Sequence, residues 1–425
     1  MDHGADDGPH IEKVAHATLQ AGRLLLLNGA DTATVEATVV RFAAVFGCEA
    51  HLMVSYEVLL LTVVAGEQFR TKIGSRVAAM NVGMTTITAV RRVLDDLEHG
   101  RMDLGRATAA LDAAEHRTPE YAHWLVVAML GLTAASLSRL FGGDWPAFAV
   151  AWLAGAAGTW LRQQLSGRQV NPVAVSFLAA CLSGLVGGAA VSLKISGTPS
   201  LCLVAPGMII VPGVPLINGV QDMIRNHMTL GISRLAFGGV ITVAIAMGLF
   251  VATVVTGAAI AVEAQPGEIG VAEDAVFSAI AALGYASLFN VPVRIAWACV
   301  VCGVASHALR TLGLHLGIDI LSGTLLGALA AGILAQLFSH RFNAPAAAFA
   351  FPGVVAMVPG AYAFRLVLSG LQIAHGATDP ALPMATLTLG ITVVLMMGAI
   401  AVGIAAPAFW FRKRSSHPDC FPQQS

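Results

Sequence analysis

Charged residues are scarce in this chain, and their scarcity excludes an ordinary water-soluble protein. Asp, Glu, Lys and Arg make up 12% of the 425 residues, whereas about 25% is typical of soluble globular domains. More than half of these charges lie in residues 1–120, which are less than a third of the chain. With a net charge of −1 and no basic stripe, nucleic acid is not an expected partner. The composition predicts a water-exposed region, 1–120, followed by a region embedded in a lipid bilayer.

Cysteines are few and scattered, six in the whole chain, so no disulfide framework is predicted. Cys299 and Cys302 form a C-x-x-C pair, but it lies within the apolar run Ile295–Val304. Small residues at a helix contact explain this pair better than a redox or metal site does. The sequence therefore predicts no cofactor and no metal. The first ten residues, MDHGADDGPH, lack a hydrophobic core, so we expect no cleaved signal peptide.

Residues 1–120 have the periodicity of a small α+β domain. Helical apolar spacing stops at Asn28-Gly29, and Asp31 or Thr32 can cap the next helix. Runs rich in Val and Leu then predict strands, and the last run alternates charged and apolar residues as an edge strand does. The predicted helices are Ile11–Asn28, a second helix from Asp31 to Val45, Val82–Leu97 and Leu104–Ala114, and the predicted strands are Glu49–Val54, Val58–Val64 and Gln68–Ile73.

Three side chains of this domain belong to types that catalyse reactions: His16, His51 and Glu57. No set of nucleophile, base and orienting group can be assembled around them from the sequence. A solvated face of a strand or helix therefore explains them better. A membrane-anchored hydrolase or sensor that works through this domain stays open as an alternative.

Ten segments after residue 120 are long and apolar enough to cross a membrane, which takes about 20 residues per helix. The acidic stretch Glu263–Ile269 divides them five and five. The predicted units are the domain 1–120, a membrane repeat 121–262, a second membrane repeat 272–411 and a disordered tail 412–425. The predicted spans are Trp124–Leu140, Pro146–Leu161, Pro172–Val191, Leu201–Val220, Leu235–Ala261, Ala275–Phe289, Val293–Leu309, Ile318–Phe338, Ala346–Leu366 and Leu387–Phe409.

Lys and Arg in the connections between spans predict the orientation, because cytoplasmic connections carry more of them. A cytoplasmic N-terminal domain gives nine basic residues inside and three outside, so both termini are predicted to be cytoplasmic. The inner set is Arg162, Arg168, Arg225, Arg234, Arg294, Arg341, Arg412, Lys413 and Arg414, and the outer set is Arg139, Lys194 and Arg310.

The two membrane halves share a duplicated proline-glycine pattern. A shift of about 147 residues lays Pro206-Gly207 and Pro212-Gly213 over Pro352-Gly353 and Pro359-Gly360. Two such pairs cannot sit in one regular helix, because proline removes a backbone donor and clashes with the preceding turn. In lipid, broken helices are tolerated only where they are buried in protein or line a cavity. Since five spans per half place the second half the other way up, the sequence predicts inverted repeats with a substrate site between the broken helices.

The chemistry of such a site suits a zwitterion, because bare N–H groups at a helix start attract a carboxylate and carbonyls at a helix end attract an ammonium group. The polar side chains near the breaks complete the predicted substrate-binding set. Ionisable residues in spans are costly and are functional candidates, so Asp222 and Asp319 are the predicted proton carriers. The predicted substrate-binding residues are Pro206, Gly207, Pro212, Gly213, Asn218, Pro352, Gly353, Pro359, Gly360, Tyr362 and Arg365.

Several of these motifs together resemble the threonine/serine exporter family. The resemblance covers nearly the whole chain. One departure is Ser55-Tyr56-Glu57, where a small Thr-Gly-like turn would be expected between strands. The motifs that carry the resemblance are Pro206-Gly-x-x-x-x-Pro212-Gly-x-Pro215-Leu-Ile-Asn218-Gly with Asp222, Gly231-Ile-Ser-Arg234, Val358-Pro-Gly-Ala-Tyr362, Gly29-Ala-Asp-Thr-x-x-Val35-Glu36 and Phe46-Gly47.

The resemblance implies a ten-span bacterial inner-membrane protein that exports threonine, serine or similar small solutes by the proton motive force. It implies a transporter and not an enzyme. Related two-component forms are associated with dicarboxylate efflux, which is the alternative within the transporter class. Protons and the lipid bilayer are the other expected partners, and homo-oligomer formation stays open.

Overall fold

The computed structural model describes residues 7–75, 81–166, 168, 170–258, 269–374, 376 and 379–412. The predicted tail, apart from Arg412, and most of the predicted acidic stretch lie outside these residues.

The N-terminal domain contains four helices and one antiparallel sheet, close to the prediction. Its strand order is β1-β2-β3, so β2 is central. Leu59, Leu61 and Val63 on β2 are fully buried, and the helices cover that side of the sheet. Gly29 stands at φ +91° between the first two helices, a conformation that favours glycine. The elements are α1 (Asp7–Leu27), α2 (Thr32–Val45), β1 (Glu49–Val54), β2 (Val58–Ala65), β3 (Gln68–Ser75), α3 (Met84–Glu98) and α4 (Leu104–Glu115).

All regular secondary structure in the described residues of the membrane region is helical. Seven of its helices are long and apolar enough to cross a membrane, and two bent helix pairs raise this to nine if each pair is one span. The helices are α5 (His123–Leu140), α6 (Trp145–Ser166), α7 (Pro172–Ser192), α8 (Pro199–Met208), α9 (Gly213–Ile224), α10 (Met228–Thr256), α11 (Val271–Leu288), α12 (Ala296–His315), α13 (Ile320–Phe342), α14 (Ala346–Val354), α15 (Gly360–Ala374) and α16 (Leu382–Arg412), with short 3₁₀ turns at Val293–Ile295 and Val355–Met357.

The count of ten spans is thus not confirmed in the described residues, and α6 is the helix in question. It has 22 residues, which is long enough to span. Its sequence, however, mixes alanine with glycine and tryptophan and ends in two glutamines. These residues are less hydropathic than the Leu, Ile and Val that dominate the other spans.

Both predicted broken spans are broken. The α8–α9 pair bends by 61° and the α14–α15 pair by 45°. Each break lies within its proline-glycine segment, but late in it, because Pro206 and Pro352 lie inside the helices α8 and α14. The chain leaves helical geometry only after Met208 and after Val354, where the second proline-glycine pair follows.

The helices of the two halves make the same set of contacts. In the first half α5 packs on α6, α6 on α7, and α7 on α10, while α8 packs on α5, α6 and α7 and α9 packs on α10. In the second half α11, α12, α13, α14, α15 and α16 repeat these contacts in the same order. Between the halves, α5 packs on α11, α9 on α16 and α10 on α15. The sequence repeat is therefore also a repeat of packing.

Contacts with the N-terminal domain define one end of the helix bundle, which we call the domain face. The domain reaches the start of α5 and three connections between helices there. The other ends of the helices lie at the opposite end of the bundle, which we call the far face. Domain-face contacts are Met84 N–H to Phe289 O (2.9 Å), Thr85 N–H to Asn290 O (3.1 Å), Glu120 N–H to Asn290 Oδ1 (2.7 Å), Arg91 to Ala344 O (3.0 Å) and Thr32 N–H to Asp222 (3.0 Å).

Side-chain bonds hold the far face together in the same way. Asp144, between α5 and α6, accepts hydrogen bonds from Ser196 Oγ and from Gly197 N–H, both at 2.7 Å, in the connection from α7 to α8. Ser192 at the end of α7 donates to the Thr256 carbonyl at the end of α10 over 2.7 Å. The described connections therefore alternate between the two faces along the chain.

Substitution of Gly187 tests the close approach of α7 to the first broken helix. A methyl group at Gly187 would lie 2.2 Å from the Cys202 carbonyl oxygen, which Pro206 leaves without its helical donor. Gly187→Ala should lower the melting temperature of the purified chain, because overpacking costs about 1–3 kcal/mol. Gly239→Ala on α10 is the matched control, since nothing lies within 4 Å of its added methyl group. Equal melting temperatures for the two variants would contradict this packing.

Candidate functional site

The two breaks meet each other inside the bundle. A methyl group placed on Gly213 would lie 3.3 Å from Val355, and one placed on Gly360 would lie 3.5 Å from Val211 in the other half. The cavity between the breaks is only about 10 Å³, room for about one water molecule. Its lining residues are Leu137, Met208, Val211, Gly213, Tyr285, Val355, Ala356, Val358 and Gly360.

The same three-residue turn forms both breaks. Gly213 N–H donates to Val211 O over 2.8 Å, and Gly360 N–H donates to Val358 O over 2.7 Å. Each is a Val-Pro-Gly γ-turn, and a helix begins directly after it. The backbone N–H groups in the first turn of α9 and of α15 therefore point toward the place where the two breaks meet, which we call the junction. The segments before the breaks end there with carbonyl groups. The junction offers both signs of partial charge to a ligand.

Neighbouring side chains satisfy the backbone groups that the second break frees. Pro352 cannot donate to the Ala348 carbonyl, and the Cys299 thiol donates to it instead at 3.2 Å. Ser306 Oγ donates to the Gly353 carbonyl over 2.9 Å. Cys302 packs against Gly353, so the C-x-x-C pair lies at a helix contact, as predicted.

Two predicted substrate-binding side chains, Tyr362 and Arg365, follow the second break on α15. Both are partly exposed. Tyr362 is close enough to interact electrostatically with Arg365 and also with Arg310 on α12. Arg310 was not among the predicted site residues.

The other predicted side chains near the first break face the N-terminal domain. Asn218 Nδ2 donates to the Gly29 carbonyl over 2.8 Å. Asp222 is fully buried and accepts a hydrogen bond from Thr32 N–H at 3.0 Å. A carboxylate of the membrane region thus caps the start of α2, where helix geometry leaves an N–H without a partner.

Two arginines and a histidine complete this contact between the domain and α9 and α10. Arg234 is buried, pairs with Asp222 at 2.6 Å and donates to the Ala30 carbonyl at 2.9 Å. Arg225 pairs with Asp31, and His227 lies 3.5 Å from Glu36. We call residues 29–32 with Asn218, Asp222, Arg225 and Arg234 the docking contact.

A cavity of about 920 Å³ lies beside the docking contact, between the domain and the membrane helices. We call it the vestibule. Five of its lining residues are basic and one, Glu36, is acidic. The Arg91 guanidinium donates to the neutral acceptors Ser339 Oγ and Ala344 O, each at 3.0 Å. The basic lining residues are Arg41, Arg91, Arg225, His227 and His340.

Asp319 lies elsewhere than predicted. It is exposed at the far face and caps the start of α13 by accepting hydrogen bonds from Leu321 N–H and Ser322 N–H. Hydrogen bonds from Ser322 and Leu321 hold the pKa of this carboxyl below its usual range. The span predicted from Ile318 begins only at Ile320, so Asp319 lies outside it.

A buried polar cluster near the far face was missed by the sequence reasoning. Asp274 accepts a hydrogen bond from Thr311 Oγ1 over 2.6 Å, and His307 Nδ1 lies 3.5 Å from its other oxygen. Both Asp274 and His307 are at least 95% buried. A signal was present in the sequence, since ionisable residues stand inside apolar spans there.

Two family models match the chain. Residues 16–256 match a model described as a threonine/serine exporter, and residues 274–410 match the model "Threonine/Serine exporter, ThrE". The chain belongs to the threonine/serine exporter family. The family assignment predicted from the motifs is therefore confirmed, and it identifies a membrane transporter. No solved structure matches.

Curated relatives of this family member include two proteins named as transporter subunits and one named as uncharacterized. The "Probable succinate transporter subunit YjjP" of Escherichia coli (strain K12) is 27% identical over 57% of this chain and 95% of its own length. The protein of the same name in Klebsiella aerogenes is 27% identical over 57% of this chain and 94% of its own length. An uncharacterized protein of Haemophilus influenzae is 33% identical over 33% of this chain and 48% of its own length.

In the N-terminal domain of this family member, the three side chains of types that catalyse reactions do not come together. His51 is exposed on β1, where it pairs with Thr62 of β2, and Glu57 is exposed in the turn between these strands. His16 lies on α1, away from that turn, in an open groove with His10, Lys13 and Lys72. The exposed faces agree with the solvated interpretation.

Substitution of Asp222 tests the docking contact. Asp222→Ala should speed amide hydrogen exchange at residues 29–32 of the full chain by at least about tenfold, because truncating one partner of a buried ion pair costs about 3–5 kcal/mol. Ser233→Ala on α10 is the control, since its hydroxyl bonds only within its own helix, to Thr229 O. Unchanged exchange in Asp222→Ala would show that this carboxylate does not hold the domain.

Proposed function

We propose that this chain is a secondary active exporter of threonine, serine or similar small amino acids, driven by the proton motive force. The observation that carries the proposal is the meeting of two Val-Pro-Gly breaks inside the bundle. Duplicated broken helices that face each other are typical of transporter substrate sites. The charge pattern there suits a zwitterion, because helix starts and helix ends are both present.

The substrate contacts in this proposal come mainly from the backbone at the two breaks. Pro206, Gly207, Pro212 and Gly213 shape one side, and Pro352, Gly353, Pro359 and Gly360 shape the other. Tyr362 and Arg365 are the side chains nearest in sequence to the second break that can bind polar groups. Asn218 enters this set only when its bond to Gly29 opens.

The repeated contacts support inverted repeats. The chain enters α8 from the far face and α14 from the domain face, so the two broken segments run in opposite directions. In this proposal the N-terminal domain and both termini are cytoplasmic. The far face is then the outer, non-cytoplasmic end of the bundle in the bacterial inner membrane. The excess of Lys and Arg in the connections toward the domain supports that orientation.

The cavity between the breaks is too small for an amino acid, so the structure corresponds to a closed state of the proposed cycle. Export then requires the breaks to separate toward each face in turn. The docking contact fixes the domain to α9 and α10, the helices next to the first break. We infer that the domain gates the cytoplasmic entrance and carries out no chemistry.

A specific observation favours a second substrate class. Three arginines, Arg41, Arg91 and Arg225, line the vestibule together with one acidic residue, Glu36, and a cleft with an excess of one sign of charge attracts ions of the other. Two relatives are named as subunits of a succinate transporter. A dicarboxylate exporter is therefore the alternative function.

Transport in vesicles tests the proposed function. Purified chain in vesicles loaded with labelled threonine, serine or succinate should release one of them when a pH gradient is imposed. Gly213→Val should abolish this release, because its side chain would wedge against Val355 across the break. Gly239→Val, at an open site on α10, is the matched control and should transport normally. Release by Gly213→Val at the wild-type rate would rule out the junction as the substrate site.

Substitution of Arg91 separates the two substrate classes. Its guanidinium donates to neutral acceptors, so Arg91→Gln removes a positive charge from the vestibule without leaving a bonded carboxylate behind. If the substrate is a dicarboxylate, its release should slow by about tenfold, the lower end of the effect of electrostatic steering. Release of threonine should change little. The two rates are measured in the same vesicle preparation at low and high salt, and only the steered substrate should show a salt dependence.

A further inference from the structure

We propose that Asp274 and His307 form the site that binds the transported proton. The proposal rests on the proton-driven export proposed above and adds the residues that couple the proton to it. The pair joins two helices of the second repeat, α11 and α12, near the far face.

The geometry of the pair is that of an ionisable site and not of a saturated salt bridge. Asp274 and His307 are 3% and 4% exposed. One carboxylate oxygen is held by Thr311 Oγ1 at 2.6 Å, and the other lies 3.5 Å from His307 Nδ1. This second oxygen and the other ring nitrogen, Nε2, are buried without a hydrogen-bond partner among the described residues. Buried polar atoms without partners are costly, so a functional explanation is required.

The groups around the pair are few. Arg310, on the same helix as His307, interacts electrostatically with Asp274 and lies near Tyr362 on α15. Glu273, adjacent to Asp274, pairs with Arg139 on α5 and is 39% exposed.

Both parts of the second broken helix contact this neighbourhood. Ser306, next to His307, donates to the Gly353 carbonyl at the end of α14 over 2.9 Å. Tyr362, which interacts with Arg310, lies in the first turn of α15. A change in charge at Asp274 and His307 can thus bear on the helix segment before the break and on the segment after it.

The proton step is a simple binding equilibrium. With the proton bound, an imidazolium and a carboxylate form a neutral pair. When His307 loses that proton from its ring, a neutral imidazole faces an unpaired buried carboxylate, which low dielectric makes unfavourable. The two states therefore favour different arrangements of the helices around them, which is the requirement for coupling.

The two carboxylates predicted from sequence are less suited to this role. Asp222 is held by Arg234 and by Thr32 N–H at the docking contact. Asp319 is exposed and already serves as the cap of α13. Neither has a buried titratable partner beside it among the residues that the structure describes.

The test uses the full chain in vesicles and two measurements on each variant. One is accumulation of labelled threonine or succinate driven by a pH gradient, and the other is exchange of labelled for unlabelled substrate with no gradient. Asp274→Asn and His307→Gln should lose driven accumulation to the level of protein-free vesicles while they still exchange substrate. Asp274→Glu should regain driven accumulation, with its pH profile displaced from that of the wild type.

Matched controls are Asp379→Asn and His315→Gln, which alter exposed residues at the far face. Both should behave as wild type. Driven accumulation by Asp274→Asn and His307→Gln at the wild-type level overturns the proposal. The proposal is also overturned if Asp274→Asn and His307→Gln lose exchange together with driven accumulation although they elute and melt as the wild type does. It is overturned as well if only Asp222→Asn or Asp319→Asn loses driven accumulation selectively. If the wild type moves none of the substrates, the proposed function fails instead.

Discussion

The requirement that every buried peptide group finds a partner governs this structure. Each Val-Pro-Gly turn interrupts a helix in the interior of an apolar bundle, where water cannot satisfy the freed groups. Close contacts between helices surround these freed groups. Cys299 and Ser306 donate to carbonyls of α14, and Gly187 lets α7 approach the Cys202 carbonyl of α8. The small residues and hydroxyls of the neighbouring helices are therefore explained by the breaks.

The same requirement explains how the N-terminal domain is attached. The loop between α1 and α2 presents carbonyls and the bare start of a helix to the membrane region. Asn218, Arg234 and Asp222 meet these groups with complementary donors and an acceptor. Because these partners lie on α9 and α10, any movement of the helix after the first break must move or release the domain. The attachment thus connects the N-terminal domain directly to the helix that follows the first break.

Local patterns predicted the local elements well. All three strands were predicted within two residues of their ends, because alternation and turn residues are short-range signals. The two broken spans followed from proline chemistry alone. Each break comes late in its predicted segment, since proline is tolerated in the final turn of α8 and α14. At α14 the Cys299 thiol donates to the carbonyl that Pro352 leaves free. The predicted count of ten spans is not confirmed, because alanine, glycine and tryptophan make α6 only weakly apolar.

Side-chain roles depended on partners far away in the sequence and were harder to predict. Asp222 is bonded to a residue 190 positions earlier, so its capping role was invisible without the fold. Asp274 and Thr311 are 37 positions apart, on two different spans. A carboxylate in an apolar sequence indicates a buried charge, but only the packing of the helices shows which group compensates that charge. Asp222 has a paired guanidinium and a helix start beside it, whereas Asp274 has an imidazole beside it. That difference in partner separates a structural carboxylate from the one that we propose shares an exchangeable proton with its partner.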